Sequence, residues 1–257
     1  MTIKTHSALH NALKQAVRWN ILQKNVAEFV ELPKVPHTER RVLSPEESLA
    51  FLEIADEMPN GLIFEFALLS GMRPEEFLAI QWNDLDFERC TAQIKRALVR
   101  HKGKWSFQKP KTAKSSRIIS LPEPLMRKLY SHKRKQNEAR LAIGPAWHAY
   151  DLVFCSEIGT PLTIPNLTYR YFRPILVKAE LPQIRLYDLR HSHATLLLIA
   201  EVNPKVVAER LGHSTIVQTL NTYSHVIPSM QKQSTEKLTE MLYSSRKKPQ
   251  EVRFGTL

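Results

Sequence analysis

GLIFEFALLSGMRPEEFLAI, residues 61–80, is the stretch from which the fold is read. Residues 61–70 are apolar enough to form a buried helix. Gly71 ends that helix, and Pro74 opens a short second one over EEFLAI. Working upstream, Ser44, Pro45 and Glu47 form an N-terminal signal, with cap, first-turn proline and capping box together. It predicts a helix from there to about residue 57. Residues 31–43, ELPKVPHTERRVL, hold two prolines and a polar cluster and read as a linker. Residues 5–24 carry apolar side chains at helical spacing, from Ala8 and Leu9 through Ile21.

Downstream the pattern changes. Residues 90–99, 104–109 and 115–121 read as short strands around the turns HKGK and KTAK. A helix is predicted over 123–139 and a short apolar strand over 152–155, LVFC. Helices follow over 165–179, 188–200, 204–211 and 215–227, the third signalled by Asn203-Pro204 and the fourth by Ser214. The expected fold class is α+β, mostly helical with a small antiparallel sheet. The absence of a repeated strand–helix alternation argues against a doubly wound fold.

Composition narrows the function classes. No run of 18 or more apolar residues is present, so no membrane-spanning helix is expected. Cys90 and Cys155 lie 65 residues apart, which fits neither a disulfide framework nor a zinc pattern, and both are expected as buried free thiols. The net charge is +12, from 37 basic and 25 acidic residues, which points to a polyanionic partner. Residues 91–120 contain no acidic residue and nine basic ones: Lys95, Arg96, Arg100, Lys102, Lys104, Lys109, Lys111, Lys114 and Arg117. A solvated face usually mixes both signs, so this block is a candidate nucleic-acid surface.

Several basic residues also sit beside helix starts, where phosphates bind readily: Arg73 after a glycine, Arg190 and His191 in the first turn of a helix, and His213 after Gly212. Alone, an arginine at a helix start is more often a surface residue, and His213 could be a capping or core histidine. Their order and context say more. ALLSGMRPEEFLAIQWNDLDF, KPKTAKSSRIISLP, RLYDLRHSHATLL and LGHSTIVQTLNTYSHV follow one another along the chain. Together they resemble, over about residues 1–240, the boxes of the tyrosine recombinase (phage integrase) family. The resemblance implies catalytic arginines at Arg73 and Arg190, a box-I glutamate at Glu76, a hairpin lysine at Lys111, a histidine at His213 and the nucleophile at Tyr223. Where the family usually has a histidine three residues before the second arginine, this chain has Tyr187. A tyrosine still donates a hydrogen bond, but at neutral pH it is a poorer proton acceptor.

The implied chemistry accounts for these residue types. A phosphodiester under attack gains charge on its non-bridging oxygens, and fixed cationic donors lower that barrier. Arg73 and Arg190 would grip those oxygens in bidentate fashion with His213 adding a donor, while Tyr223 forms a covalent phosphotyrosine and Lys111 protonates the leaving 5′ hydroxyl. Glu76 would orient the site without touching DNA. No metal or cofactor is expected. The remaining basic residues, Lys95, Arg96, Arg100, Lys102, Lys104, Lys109, Lys114 and Arg117, are expected to contact DNA. Also implied are a double-stranded DNA partner, a tetramer on DNA when full length, and a bacterial or phage-encoded cytoplasmic protein associated with the nucleoid. By the same resemblance, residues 1–30 would be the last helix of a truncated core-binding domain, 31–43 a linker, 44–243 the catalytic domain and 244–257 a basic tail. A non-catalytic DNA-binding remnant and a type IB topoisomerase-like enzyme are the competing readings.

Overall fold

The computed structural model describes residues 2–33, 41–109, 116–213, 215–217, 220, 235–236, 238–239 and 241–243. The chain divides into two compact units, Met1–Arg40 and Arg41–Leu257.

In the first unit, α1 spans Thr2–Arg18. It stops short of the expected residue 24 because Asn20 takes a left-handed conformation, φ 58°. The Asn20 and Ile21 amides then donate back to the Val17 and Ala16 carbonyls, each at 3.0 Å, closing the helix end as a Schellman turn. A single 3-10 turn, Val26–Phe29, follows, capped by the Asn25 side chain. Asn25 Nδ2 reaches back to the His10 carbonyl at 3.1 Å. His6 Nε2 lies 2.8 Å from the Ala27 carbonyl.

The second unit begins with an anchored residue. Leu43, inside the expected linker, is fully buried, and its amide donates to Ser192 Oγ at 2.9 Å. Helix α2, Pro45–Glu57, has the capping box read from the sequence, Ser44 and Glu47 bonding reciprocally. Helix α3, Gly61–Ser70, is buried nearly all round. Phe64 from α3 meets Phe51 from α2 and Phe172 at ring distances of 6.4 and 5.5 Å, and Phe66 meets Phe154 at 5.3 Å. Gly71 closes α3 at φ 65°, and the one-turn α4, Pro74–Phe77, begins three residues later.

The strands depart from expectation in their pairing. The run expected over 90–99 splits into β2, Thr91–Ile94, and β3, Ala97–His101. With β1, Leu85–Asp86, β2 joins β5, Arg117–Ser120, in an antiparallel sheet of order β1-β2-β5. Strand β3 pairs instead with β4, Lys104–Gln108, as a separate hairpin. The break falls at Lys95 and Arg96, both of which turn to the buried carboxylate of Asp84. The hairpin turn at Lys102-Gly103 has positive φ at both residues, the geometry that suits the twist of a two-residue hairpin.

Helix α5 spans Glu123–Ile143, four residues longer than expected. Residues 152–155 form no strand. They sit at isolated bridges, Gln81↔Leu152 and Cys155↔Pro161, pinned by the Val153 amide on the Ile80 carbonyl at 3.0 Å. Both cysteines are half-buried rather than buried, and burial pushes the Cys155 thiol up to about 11. The helix expected over 165–179 is α6, Ile164–Leu167, and α7, Arg173–Lys178, joined by a π-helical turn over Thr168–Phe172. Pro174 brings no N–H to the Arg170 carbonyl and crowds it, so the chain widens there. Helices α8, Asp188–Ile199, and α9, Pro204–Leu211, match expectation. Of the helix expected over 215–227, the described residues 216, 217 and 220 are helical.

Candidate active site

The ends of α3 and α9 and the starts of α4, α8 and β5 bring one cluster of side chains together. Arg73 is the N-cap of α4. Its amide and its guanidinium both donate to the Glu76 carboxylate, at 3.0 and 2.8 Å. Glu76 is 6% exposed and receives a second arginine, Arg117, from β5: Nη2 to Oε2 at 2.9 Å and Nη1 to Oε1 at 3.3 Å. Burial drives the Glu76 carboxyl upward, but the bonds and charges of Arg117, then of Arg73, outweigh it and hold it below the usual carboxylate range. Burial likewise favours loss of the Arg73 proton. Glu76 and, after it, Tyr187, whose phenolic oxygen accepts from the guanidinium, outweigh that and hold Arg73 above its ordinary value.

Arg190 is among the largest fully buried side chains. It is held by backbone, not by acid: Nη1 donates to the Gly71 carbonyl at 2.9 Å and Nη2 to the Leu211 carbonyl at 2.6 Å. Both oxygens lie at helix C-termini, the negative ends of the helix dipoles. Burial and the charge of Arg73 lower the Arg190 pKa to about 10. It stays cationic at neutral pH.

His213 emerges from the end of α9. Gly212 takes φ 68°, and the Gly212 and His213 amides donate back to Glu209 and Ala208 at 3.0 Å. A Cβ on Gly212 would stand 2.9 Å from an Arg117 nitrogen, so the glycine also makes room for the arginine. Burial, followed by the charges of Arg190 and Arg73, pushes the His213 imidazole down to about 4. At pH 7 it is neutral, one ring nitrogen carrying the hydrogen and the other a lone pair. Tyr187 stands at the start of α8 with its ring 5.4 Å from that of buried His191. An open cavity of about 500 Å³ adjoins the cluster, lined by Arg117, Gly212, His213, Lys205 and Thr215 among others.

Arg73, Glu76, Tyr187, Arg190 and His213 therefore share one site, in which Arg73 and Arg117 bond one carboxylate and Arg190 lies within electrostatic reach of both arginines. Lys111, Lys114 and Tyr223 lie outside the described residues. The basic block divides. Arg100, Lys102, Lys104 and Lys109 are exposed, Arg100 stacking over Trp105 at 5.2 Å. Lys95 and Arg96 are engaged with Asp84. Arg117, expected on the DNA-contacting surface, turns inward, its side chain 7% exposed and ion-paired. That role was missed although strand alternation carries it, since Arg117 shares a face with buried Ile119.

Residues 41–230 match the phage integrase family. A tyrosine recombinase XerC-like protein of Caldanaerobacter subterraneus subsp. tengcongensis is 32% identical, covering 93% of this chain and 66% of its own length. The ICEBs1 integrase of Bacillus subtilis is 28% identical, covering 92% of this chain and 64% of its own. The chain thus spans about two thirds of the length of these relatives. The fold is shared with the Tn1549 transposon integrase in complex with transposon right-end DNA: TM-score 0.76, 22% identity, 91% of this chain and 78% of that one. With its family match covering most of the sequence, the chain belongs to the phage integrase family.

Proposed function

We propose that this chain cuts and rejoins double-stranded DNA as the catalytic part of a tyrosine site-specific recombinase. The observation that carries this reading is the charge balance of the site. Among the described residues, Arg73 and Arg117 both bond the Glu76 carboxylate, while Arg190 beside them donates to two main-chain carbonyls. A half-buried excess of positive charge is a site that an anion completes. In this reading Arg73, Arg190 and neutral His213 donate to the non-bridging oxygens of one phosphate, with Tyr187 adding a hydroxyl. Glu76 fixes Arg73 from behind. Tyr223 Oη bonds phosphorus as its phenolic proton passes to solvent, the P–O5′ bond breaks, and Lys111 gives the departing oxygen its proton. Attack by a 5′ hydroxyl on the 3′-phosphotyrosine reverses the step, so the strands rejoin without an external energy source.

The exposed hairpin cations Arg100, Lys102 and Lys104, with Lys109 and Lys114, would follow the DNA backbone. Residues 44–243 would form the catalytic domain, 1–30 the end of a core-binding domain, 31–43 the connection and 244–257 a basic tail. Assembly would be tetrameric around two duplexes, with Leu238, Met241 and Leu242, all exposed, in the segment that meets a neighbouring protomer. The relatives' bacterial and phage origins fit action inside a bacterial cell on a mobile element.

The test is a denaturing gel with labelled, nicked duplexes. Wild type is expected to give a covalent protein–DNA band and Tyr223→Phe none. A band that survives the substitution, or DNA binding with no band from the wild type, overturns the reading.

A further inference from the structure

Arg210 lies three residues before His213, yet its side chain points elsewhere. Nε donates to His193 Nε2 at 3.0 Å. Nη2 donates to the carbonyls of Ser120 at 2.8 Å and Leu69 at 3.1 Å. These acceptors sit on α8, at the end of β5 and in the last turn of α3. The same elements deliver the site: His193 follows Arg190 by three residues, Ser120 follows Arg117 by three, and Leu69 precedes the Gly71–Arg73 corner. Two further bonds run in the opposite direction. The Arg210 carbonyl receives Arg117 Nε at 2.6 Å and the Leu211 carbonyl receives Arg190 Nη2 at 2.6 Å. The end of α9 is thereby tied both ways to α8 and β5, which carry Arg190 and Arg117, and one way to the end of α3, just before the corner that carries Arg73.

His193 makes this possible as an acceptor. One ring nitrogen bonds the Leu68 carbonyl and so carries the hydrogen, which leaves the Nε2 lone pair for Arg210. Burial, then the Arg210 charge, pushes the imidazole down to about 3, so the lone pair persists at neutral pH. His193 also fills the space beside Gly71, where a Cβ would lie 2.3 Å from its ring.

We propose that the His193–Arg210 hydrogen bond is a positioning contact, fixing Arg190 and His213 at the separation needed to hold one phosphate between them. The proposal rests on reading that site as phosphate-binding. Its rival is that His193 merely anchors α8 to α3 through Leu68. Two amides separate these roles. Glutamine at 193 can place its oxygen near the position of Nε2 and keep the acceptor for Arg210. Asparagine can place its nitrogen near Nδ1 and keep only the bond to Leu68.

The 257-residue chain is compared as wild type, His193→Gln, His193→Asn and Arg210→Lys, the last keeping the charge but offering one nitrogen to three acceptors. Inorganic phosphate is titrated while the His213 ring is followed by NMR, and covalent product is measured on a pool of nicked duplexes. Loss of a buried charge-assisted bond corresponds to about tenfold or more, so His193→Asn and Arg210→Lys should fall by that factor in phosphate affinity. His193→Gln should stay within about threefold of wild type. Should His193→Asn fail to fold, Arg210→Lys against His193→Gln decides the same question. The reverse order, with asparagine sound and glutamine impaired, overturns the proposal, as do equal effects of all three variants or a wild type blind to phosphate. If phosphate follows the expected order but wild type yields no covalent product, the strand-cutting reading fails and the positioning contact stands.

Discussion

Replacing Glu76 with glutamine tests the organisation of the site most directly. The carboxylate accepts four bonds: the Arg73 amide at 3.0 Å, Arg73 Nη1 at 2.8 Å, and Arg117 Nη2 and Nη1 at 2.9 and 3.3 Å. An amide has one oxygen, so two of the four are lost and an NH2 is set against donors. The variant also leaves two guanidiniums facing each other without their counter-ion. Breaking a buried pair by removing one partner costs about 3–5 kcal/mol. For a domain of this size that is a fall in Tm of roughly 6–20 °C. The pH dependence gives a second handle. The folded-state carboxyl is held below its ordinary 4.5, so the unfolded chain binds the proton more tightly. The stabilisation from Glu76 is complete above that value and is lost as pH falls from 4.5 through the folded-state pKa. The gap between wild type and Glu76→Gln should therefore be widest at pH 7 and narrow below pH 4.5. Urea unfolding at pH 7.5, 5.5 and 4 measures it. A gap under about 1 kcal/mol at pH 7.5, or one that stays constant into acid, refutes the argument.

Gly71→Ala should cost about 2–4 kcal/mol, combining a left-handed φ with a Cβ driven into the His193 ring; a melting temperature within 2 °C of wild type would contradict this. His213 in the free protein should titrate near pH 4; an NMR midpoint between 6 and 7 would show that burial and the surrounding arginines do not act on it as described. Because its folded-state pKa is depressed, His213 should also withdraw stability as pH falls below about 6.5, where the unfolded chain takes up the proton first. Lys102→Ala combined with Lys104→Ala should reduce the slope of log affinity against log salt by about 2 on random duplexes; an unchanged slope removes the hairpin from the DNA contact.

What was legible in the sequence was local. Ser44 and Glu47, Gly71 and Pro74, and Asn203 and Pro204 each set a helix boundary through a cap or a missing N–H, and those boundaries stand. The grouping of Arg73, Glu76, Arg190 and His213 was legible from motif order alone. The pairing of strands was not. Residues 90–99 are uniformly strand-compatible, and the break at Lys95–Arg96 depends on Asp84, a partner supplied by a different segment. Arg117 was hidden by its neighbour Ile118, an isoleucine 65% exposed that masks the in–out alternation of β5. The attachments of Arg190 and Arg210 were beyond reach for another reason. Their partners are largely main-chain carbonyls, present at every residue and marked by no side chain.

That mode of attachment has a thermodynamic consequence. A carboxylate partner would cancel the charge of Arg190, whereas two carbonyls orient the guanidinium and leave its full charge in place. The folded chain therefore carries a repulsion among its arginines that any bound oxyanion relieves, and an oxyanion that binds only the folded chain raises its stability by mass action. At a concentration one hundred times its Kd, such an anion adds about 2.7 kcal/mol. On the proposed reading, sulfate or phosphate in a buffer would be no bystander: this protein's melting point would report which oxyanion it was dissolved with.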